Sequence, residues 1–217
     1  MRRLHVFVEG QTERVALPTI LAAFGLGGRT QPPLMLRGSK FFTQIGRRAA
    51  AILSVERDDH VFACPDLAPR EHVPWPYEDY DGLQEALRQQ VRREFRSRYG
   101  RKAPVRAMER FHPCPFRHDF EVILLAMPAA LASCLRTNQT VEQHYNSRNP
   151  EDQDFDRYPK RVVRLLFEKF AKRRYDEVTD YPRVLDRATQ DEVRGTADVC
   201  PRFAQFIEAL RQAASRS

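Results

Sequence analysis

The chain has 217 residues, 42% of them hydrophobic and 30% charged, a balance that fits a soluble globular protein and excludes a disordered one. No apolar run approaches the roughly 18 residues needed to cross a bilayer, and Met1-Arg2-Arg3 leads into a strand rather than a secretory signal, so a cytoplasmic protein with no membrane partner is expected. The four cysteines are scattered without a CxxC pair, which argues against a zinc or redox site, and a net charge of +7 with pI near 9.5 makes a polyanion a natural partner.

Leu4-His5-Val6-Phe7-Val8 reads as a strand, Glu9-Gly10 as a tight turn, and Arg14 to Leu21 as a helix. Glu9 thus stands at the carboxyl end of a strand, where open α/β sheets bind ligands. An acid there either favours the next helix start or, joined by a second acid, acts as a general acid, a general base or a metal ligand. Pro32 to Leu36 predicts a second strand. The Gly25 to Gly28 segment before it follows a helix and is a loop, not a dinucleotide fingerprint. Ser39 is expected to cap a helix covering Phe41 to Val55, with Ile45, Ala49, Ile52 and Leu53 as its apolar stripe. His60 to Cys64 predicts a buried strand ending in Pro65-Asp66, which puts a second acid on the same sheet edge as Glu9.

Pro69 to Trp75 is a proline-punctuated loop whose Glu71 and His72 read as surface residues. Asp79 or Asp81 caps a long basic helix that ends at Tyr99-Gly100, and Val105 to Phe111 predicts the fourth strand. Phe116-Arg117-His118-Asp119-Phe120-Glu121 then precedes a strongly apolar helix. Asp119 and Glu121 are there either a cap and a first-turn acid or, with His118 as a proton shuttle, partners of Glu9 and Asp66 in one cluster. Thr137 to Tyr158 is a polar loop with an acidic patch from Glu151 to Asp156. Pro159 opens a helix that is apolar at Val162, Val163, Leu165, Leu166, Phe167 and Phe170 and basic opposite. After Asp180-Tyr181-Pro182, a last helix holds Phe203, Phe206, Ile207 and Leu210.

Basic residues concentrate on two of these helices, with Arg92, Arg93 and Arg96 on one and Lys160 and Arg161 on the other. They are expected to follow a DNA or RNA phosphate backbone; the alternative is a pair of solvated faces with partners such as Glu94 and Glu168. The organisation expected is an α/β domain over residues 1–136 and a helical extension over 137–217 packed on it.

Val8-Glu9-Gly10-Gln11-Thr12-Glu13, the strand ending at Asp66, His118-Asp119-Phe120-Glu121 with Leu124-Leu125, Tyr158-Pro159-Lys160-Arg161 and Cys200-Pro201-Arg202-Phe203 together resemble a TOPRIM domain. TOPRIM is the metal-dependent module of topoisomerases, primases and OLD-type nucleases. More closely, these blocks resemble the prokaryotic domain-of-unknown-function family DUF4276. The resemblance implies a TOPRIM/Rossmann-like, mainly parallel four-stranded sheet flanked by helices. It implies Glu9 as general acid or base and Asp66 as the first aspartate of a magnesium-binding Asp-x-Asp; Glu13 and His118 stand beside them as further catalytic candidates read from the chain itself. Ala68 stands where the second aspartate belongs, a gap that Asp119 or Glu121 could cover. The family usually has glutamate at the Asp119 position, a change that keeps the charge. The implied activity is Mg2+- or Mn2+-dependent phosphodiester cleavage of nucleic acid in phage defence or mobile-element biology, with an ATPase partner protein. A degenerate site serving only nucleic-acid binding or regulation is the alternative.

Overall fold

A computed structural model describes residues 2–66, 79–100, 102–152 and 158–215. Ala68, Glu71, His72 and the acidic patch at Asp154 and Asp156 lie outside the described residues. Strands β1 (Leu4–Val8), β2 (Leu34–Met35), β3 (His60–Cys64) and β4 (Phe111–Pro113) form one fully parallel sheet in the order β2-β1-β3-β4. Alternation along the strands divides their side chains between two cores. Leu4, Val6, Val8, Phe62 and Cys64 face one, while Phe7, Val61 and Ala63 face the other. A sheet apolar on both faces must be covered by helices on both, as parallel sheets are.

Helix α1 (Gln11–Ala23) covers the first face, and α2 (Ser39–Val55) and α3 (Tyr80–Tyr99) cover the second. The chain therefore leaves β1 toward one edge through α1 and returns through α2 to cross to the other side. The reversal falls between β1 and β3, the switch point outside whose strand ends such sheets bind ligands. Asp79 caps α3 by accepting from the Gly82 amide at 2.7 Å, and Gly100 closes it in the left-handed conformation, as the sequence predicts.

The region predicted as the fourth strand divides. Val105–Glu109 is a short helix, α4, and only Phe111–Pro113 pairs with β3. Arg106, Ala107, Met108 and Glu109 are strong helix formers, and Pro104 sets the start, so one β-branched valine does not hold the segment extended. Pro113 is tolerated because β4 is the edge strand. Ser39 is the first residue of α2 rather than its cap, a position held by Gly38 at φ 51.

Beyond α5 (Val122–Leu125) and α6 (Pro128–Leu135), helix α7 (Pro159–Leu166) runs into a π-helical turn at Phe167–Ala171. Helices α8 (Glu177–Leu185) and α9 (Gln190–Val199) follow, where the sequence reading expected no helix before the last one. Pro182 sits inside α8 and forfeits one helical bond next to exposed Val178. Asp176 and the Thr189–Glu192 capping box start the two helices. With α10 (Pro201–Ser215) they complete the layer that covers α1 and the first sheet face. Phe206 meets Phe62 edge-on at 6.2 Å, so residues from both ends of the chain share one core.

Candidate functional site

Glu9 and Asp66 follow β1 and β3 directly, so the parallel register sets them side by side at the switch point. The Asp66 amide donates to Glu9 Oε2 at 3.3 Å, and a bridge from Asp66 to Phe116 continues the sheet past its last strand residue. Asp66 Oδ1 is sealed from solvent without a hydrogen-bond partner. Burial raises the Asp66 carboxyl well above the usual range, and the charges of Glu13, Glu9, Asp119 and Glu121 raise it further.

Glu13 turns back from the first turn of α1 over Gly10. A Cβ built on Gly10 would lie 2.4 Å from Glu13 Oε2, so the glycine leaves room for the carboxylate, which any side chain there would push aside, and no positive φ calls for it. Burial pushes the Glu13 pKa up to about 7 against a main-chain hydrogen bond at the helix start, with repulsion from Glu121 and Glu9 in support. The helix-start role weighed for Glu9 therefore falls to Glu13.

Asp119 and Glu121 flank Phe120, whose ring stacks on Tyr181 at 5.9 Å and packs against Phe116 and Phe203. The Tyr181 hydroxyl donates to the Phe120 carbonyl at 3.0 Å, which fixes this turn. Neither acid is spent on capping α5, which has no side-chain cap. Asp119 Oδ1 instead accepts from the Lys160 amide at 2.9 Å in the first turn of α7, and Glu121 Oε1 accepts from the Tyr175 hydroxyl at 3.3 Å. Burial raises both carboxyls; for Asp119 the neighbouring Glu121 adds to this, while for Glu121 the Lys160 ammonium opposes it.

Lys160, expected on a nucleic-acid face, lies in this cluster. Its ammonium bonds Glu177 and stands 3.9 Å from Glu121. Burial would lower its pKa, but Glu121, Glu177 and Asp119 more than offset that and hold the charge. Arg161 is its exposed neighbour. His118 is buried on another side, bonded to the Glu151 main chain, and its pKa is lowered first by burial and then by Arg117. Arg92, Arg93 and Arg96 are remote from the acids. The start of α3 is held at the site edge by Gln84 donating to the Pro113 carbonyl, and its end meets Ser54 through Tyr99. Arg92 lies about 18 Å along that helix, paired with Glu85 at 2.7 Å.

These carboxylates fit a hard divalent cation in donor chemistry, being oxygen ligands from separate segments around the unpartnered Asp66 Oδ1. As they stand, no group of three His, Cys, Asp or Glu among the described residues gathers closely enough to hold an ion.

The family model described as a domain of unknown function (DUF4276) matches residues 8–211. The chain belongs to the DUF4276 family. No curated protein and no solved structure matches it. Within this DUF4276 chain the sequence blocks that carry the resemblance now have places. The first three carry the acids, and Tyr158 to Arg161 supplies a counter-ion. Cys200 to Phe203 starts α10, where the Arg202 and Phe203 amides donate to the buried Glu151 carboxylate at 2.8–3.1 Å. The Arg202 guanidinium also lies 3.7 Å over the Tyr80 ring, tying α10 to the start of α3. Sequence reading missed Tyr175, Glu177 and the capping role of Glu151. The capping box at Thr189 signalled a helix nearby, but nothing local marked these three residues.

Proposed function

We propose that this protein is a Mg2+- or Mn2+-dependent nuclease, or a related phosphoryl-transfer protein, acting on nucleic acid. The observation that carries the reading is the unpartnered, buried Asp66 oxygen surrounded by Glu9, Glu13, Asp119 and Glu121 at the switch point of the sheet. A structural ion-pair network would supply a cation for each acid, whereas here Lys160 pairs with Glu121 and Glu177 and leaves mutual repulsion around Asp66. Clustered acids with raised pKa values at a ligand-binding edge mark functional sites. The likeness of the glutamate and aspartate positions to TOPRIM domains supports the same reading.

Asp66, Glu9, Asp119 and Glu121 would hold the ion, drawn inward from their present positions. When bound, the metal stabilises charge on phosphate oxygens and acidifies the attacking water. The chain's own groups do the rest. Glu13, with its pKa near 7, changes protonation where a general acid or base is most effective. Lys160 keeps Glu121 and Glu177 aligned and balances part of their charge. The reading places the protein in phage defence or mobile-element biology beside an ATPase partner.

Incubation of the purified protein with labelled single- and double-stranded DNA and RNA in Mg2+ or Mn2+ tests it. Cleavage by the wild type is expected, with Glu9→Ala and Asp66→Ala each reducing the rate by about a hundredfold or more. No cleavage, or cleavage undiminished in both variants, would overturn it.

A second reading, a non-catalytic nucleic-acid-binding or regulatory module, is favoured by one observation: as placed, no three of these acids gather closely enough to hold an ion. It requires nucleic-acid binding indifferent to Mg2+ and to Glu9. Metal-dependent stabilisation that disappears in Asp66→Ala would eliminate it.

A further inference from the structure

A second, positively charged hollow lies at the other end of α8, where Cys134, Leu135, Arg136, Phe170, Ala171, Arg173, Arg183 and Arg187 enclose about 610 Å3. That volume falls within the range of small-molecule sites. Four arginines line it, and no acidic residue is among its lining residues. Asp180, wholly buried beneath, is the carboxylate that braces the group. It accepts from both terminal nitrogens of Arg173 at 2.6 and 2.7 Å, and Arg183 stands 3.5 Å away. Asp176 is turned elsewhere, accepting from the Val178 and Thr179 amides at the start of α8. Four guanidiniums over one carboxylate leave a surplus of three positive charges.

Backbone geometry points to the same place independently. Arg136 and Lys172 are the non-glycine residues with positive φ among those described, at 54° and 56°. Arg136 lines the hollow, and Lys172 stands between the lining residues Ala171 and Arg173. Left-handed backbone at residues with a Cβ is strained, and such strain collects at ligand sites. Glycine would end α6 more cheaply than Arg136 does. The π-helical turn Phe167–Ala171, a rare conformation common at functional sites, supplies Phe170 and Ala171 to the same wall.

We propose that this hollow binds the phosphate group of a nucleotide, with Arg136, Arg183 and Arg187 on the phosphate oxygens, Arg173 held on Asp180 behind them, and Phe170 against the base. Guanidinium forks match phosphate oxygens in geometry and charge, and an aromatic face accepts any base by stacking. The ligand is a free nucleotide or the phosphorylated end of a strand, which share this chemistry. The proposal does not depend on cleavage at the acidic site.

Calorimetric titration of the full chain in chelator, without divalent metal, tests it. The probes are inorganic phosphate, adenosine, AMP, and an oligonucleotide with either a 5′-phosphate or a 5′-hydroxyl. Saturable binding of AMP or of the 5′-phosphorylated strand is expected, stronger than that of phosphate or adenosine. AMP binding alone identifies a free nucleotide as the ligand, and binding of the phosphorylated but not the hydroxyl strand identifies a strand end. Arg183→Glu/Arg187→Glu is expected to weaken binding by more than about tenfold. Arg136→Gly keeps the fold by relieving the strained turn, so its melting temperature is expected to hold or rise while affinity falls by about fivefold. Absence of saturable binding by any phosphate-bearing probe, adenosine binding as well as AMP, or unchanged affinity in both variants would overturn the proposal.

Discussion

Glu9 accepts a hydrogen bond from the main chain of Asp66, 57 positions away in the sequence, because β1 and β3 are parallel neighbours that end at the same edge. This contact joins two acids whose like charges would otherwise separate them. Glu13, Asp119 and Glu121 repel the Asp66 carboxylate as well, so the site stores electrostatic strain that Lys160 relieves only in part.

That strain should be visible as pH-dependent stability. Glu13 has a folded pKa of about 7 against an ordinary 4.5, and Asp66, Asp119 and Glu121 are also raised. Between these pH values the folded state retains a proton that the unfolded chain has released, so stability falls as pH rises through the window. Glu13 alone contributes a decline of up to about 3 kcal/mol. Urea unfolding at pH 5 and pH 8 should show the decline in wild type, reduced in Glu13→Gln.

Neutralising the central acid should separate stability from activity. Asp66→Asn removes a buried charge at a site of mutual repulsion and is expected to stabilise the protein at pH 8 by about 1 kcal/mol, while abolishing metal-dependent cleavage. Unfolding midpoints and initial rates on the same preparations check both. A destabilised Asp66→Asn would show that the carboxylate serves the fold.

Gly10→Ala forces the Glu13 carboxylate from its place, because the added Cβ would lie 2.4 Å from Oε2. The expected cost is about 1–3 kcal/mol. Glu13→Ala in the same chain removes the obstruction, so the double variant should be less destabilised than the sum of the singles by about 1 kcal/mol.

Glu151→Ala leaves the Arg202 and Phe203 amides at the start of α10 without their acceptor. A loss of about 2–3 kcal/mol is expected, with cleavage per folded molecule unchanged. A selective loss of activity would mean that the Glu151–His118 side of the protein belongs to the site.

The sheet and the sheet-edge position of Glu9 and Asp66 were legible in the sequence, because short β-branched runs ending in acids carry both strand type and direction. Asp119 and Glu121 were legible only as alternatives, since polar residues before an apolar helix look the same whether they cap it or face a ligand. The roles of Lys160, Tyr175 and Glu177 were hidden because they depend on how α7 and α8 pack against α5. Lys160 illustrates the difficulty: on a basic helix it reads as a phosphate contact, yet the fold turns it inward to Glu121 and Glu177. Val105 to Glu109 misled in the opposite direction, one valine suggesting a strand where four helix formers prevailed. Pro182 does not end α8, although a proline cannot donate, because the position it leaves unpaired is at the protein surface.

Anomalous diffraction from crystals soaked in Mn2+ tests the central claim most directly. The expected result is a manganese peak bonded to Asp66 and to at least one of Glu9, Asp119 and Glu121, and absent from Asp66→Asn crystals. Well-ordered wild-type density with no manganese at Asp66, under soaking that loads manganese elsewhere in the crystal, would contradict it.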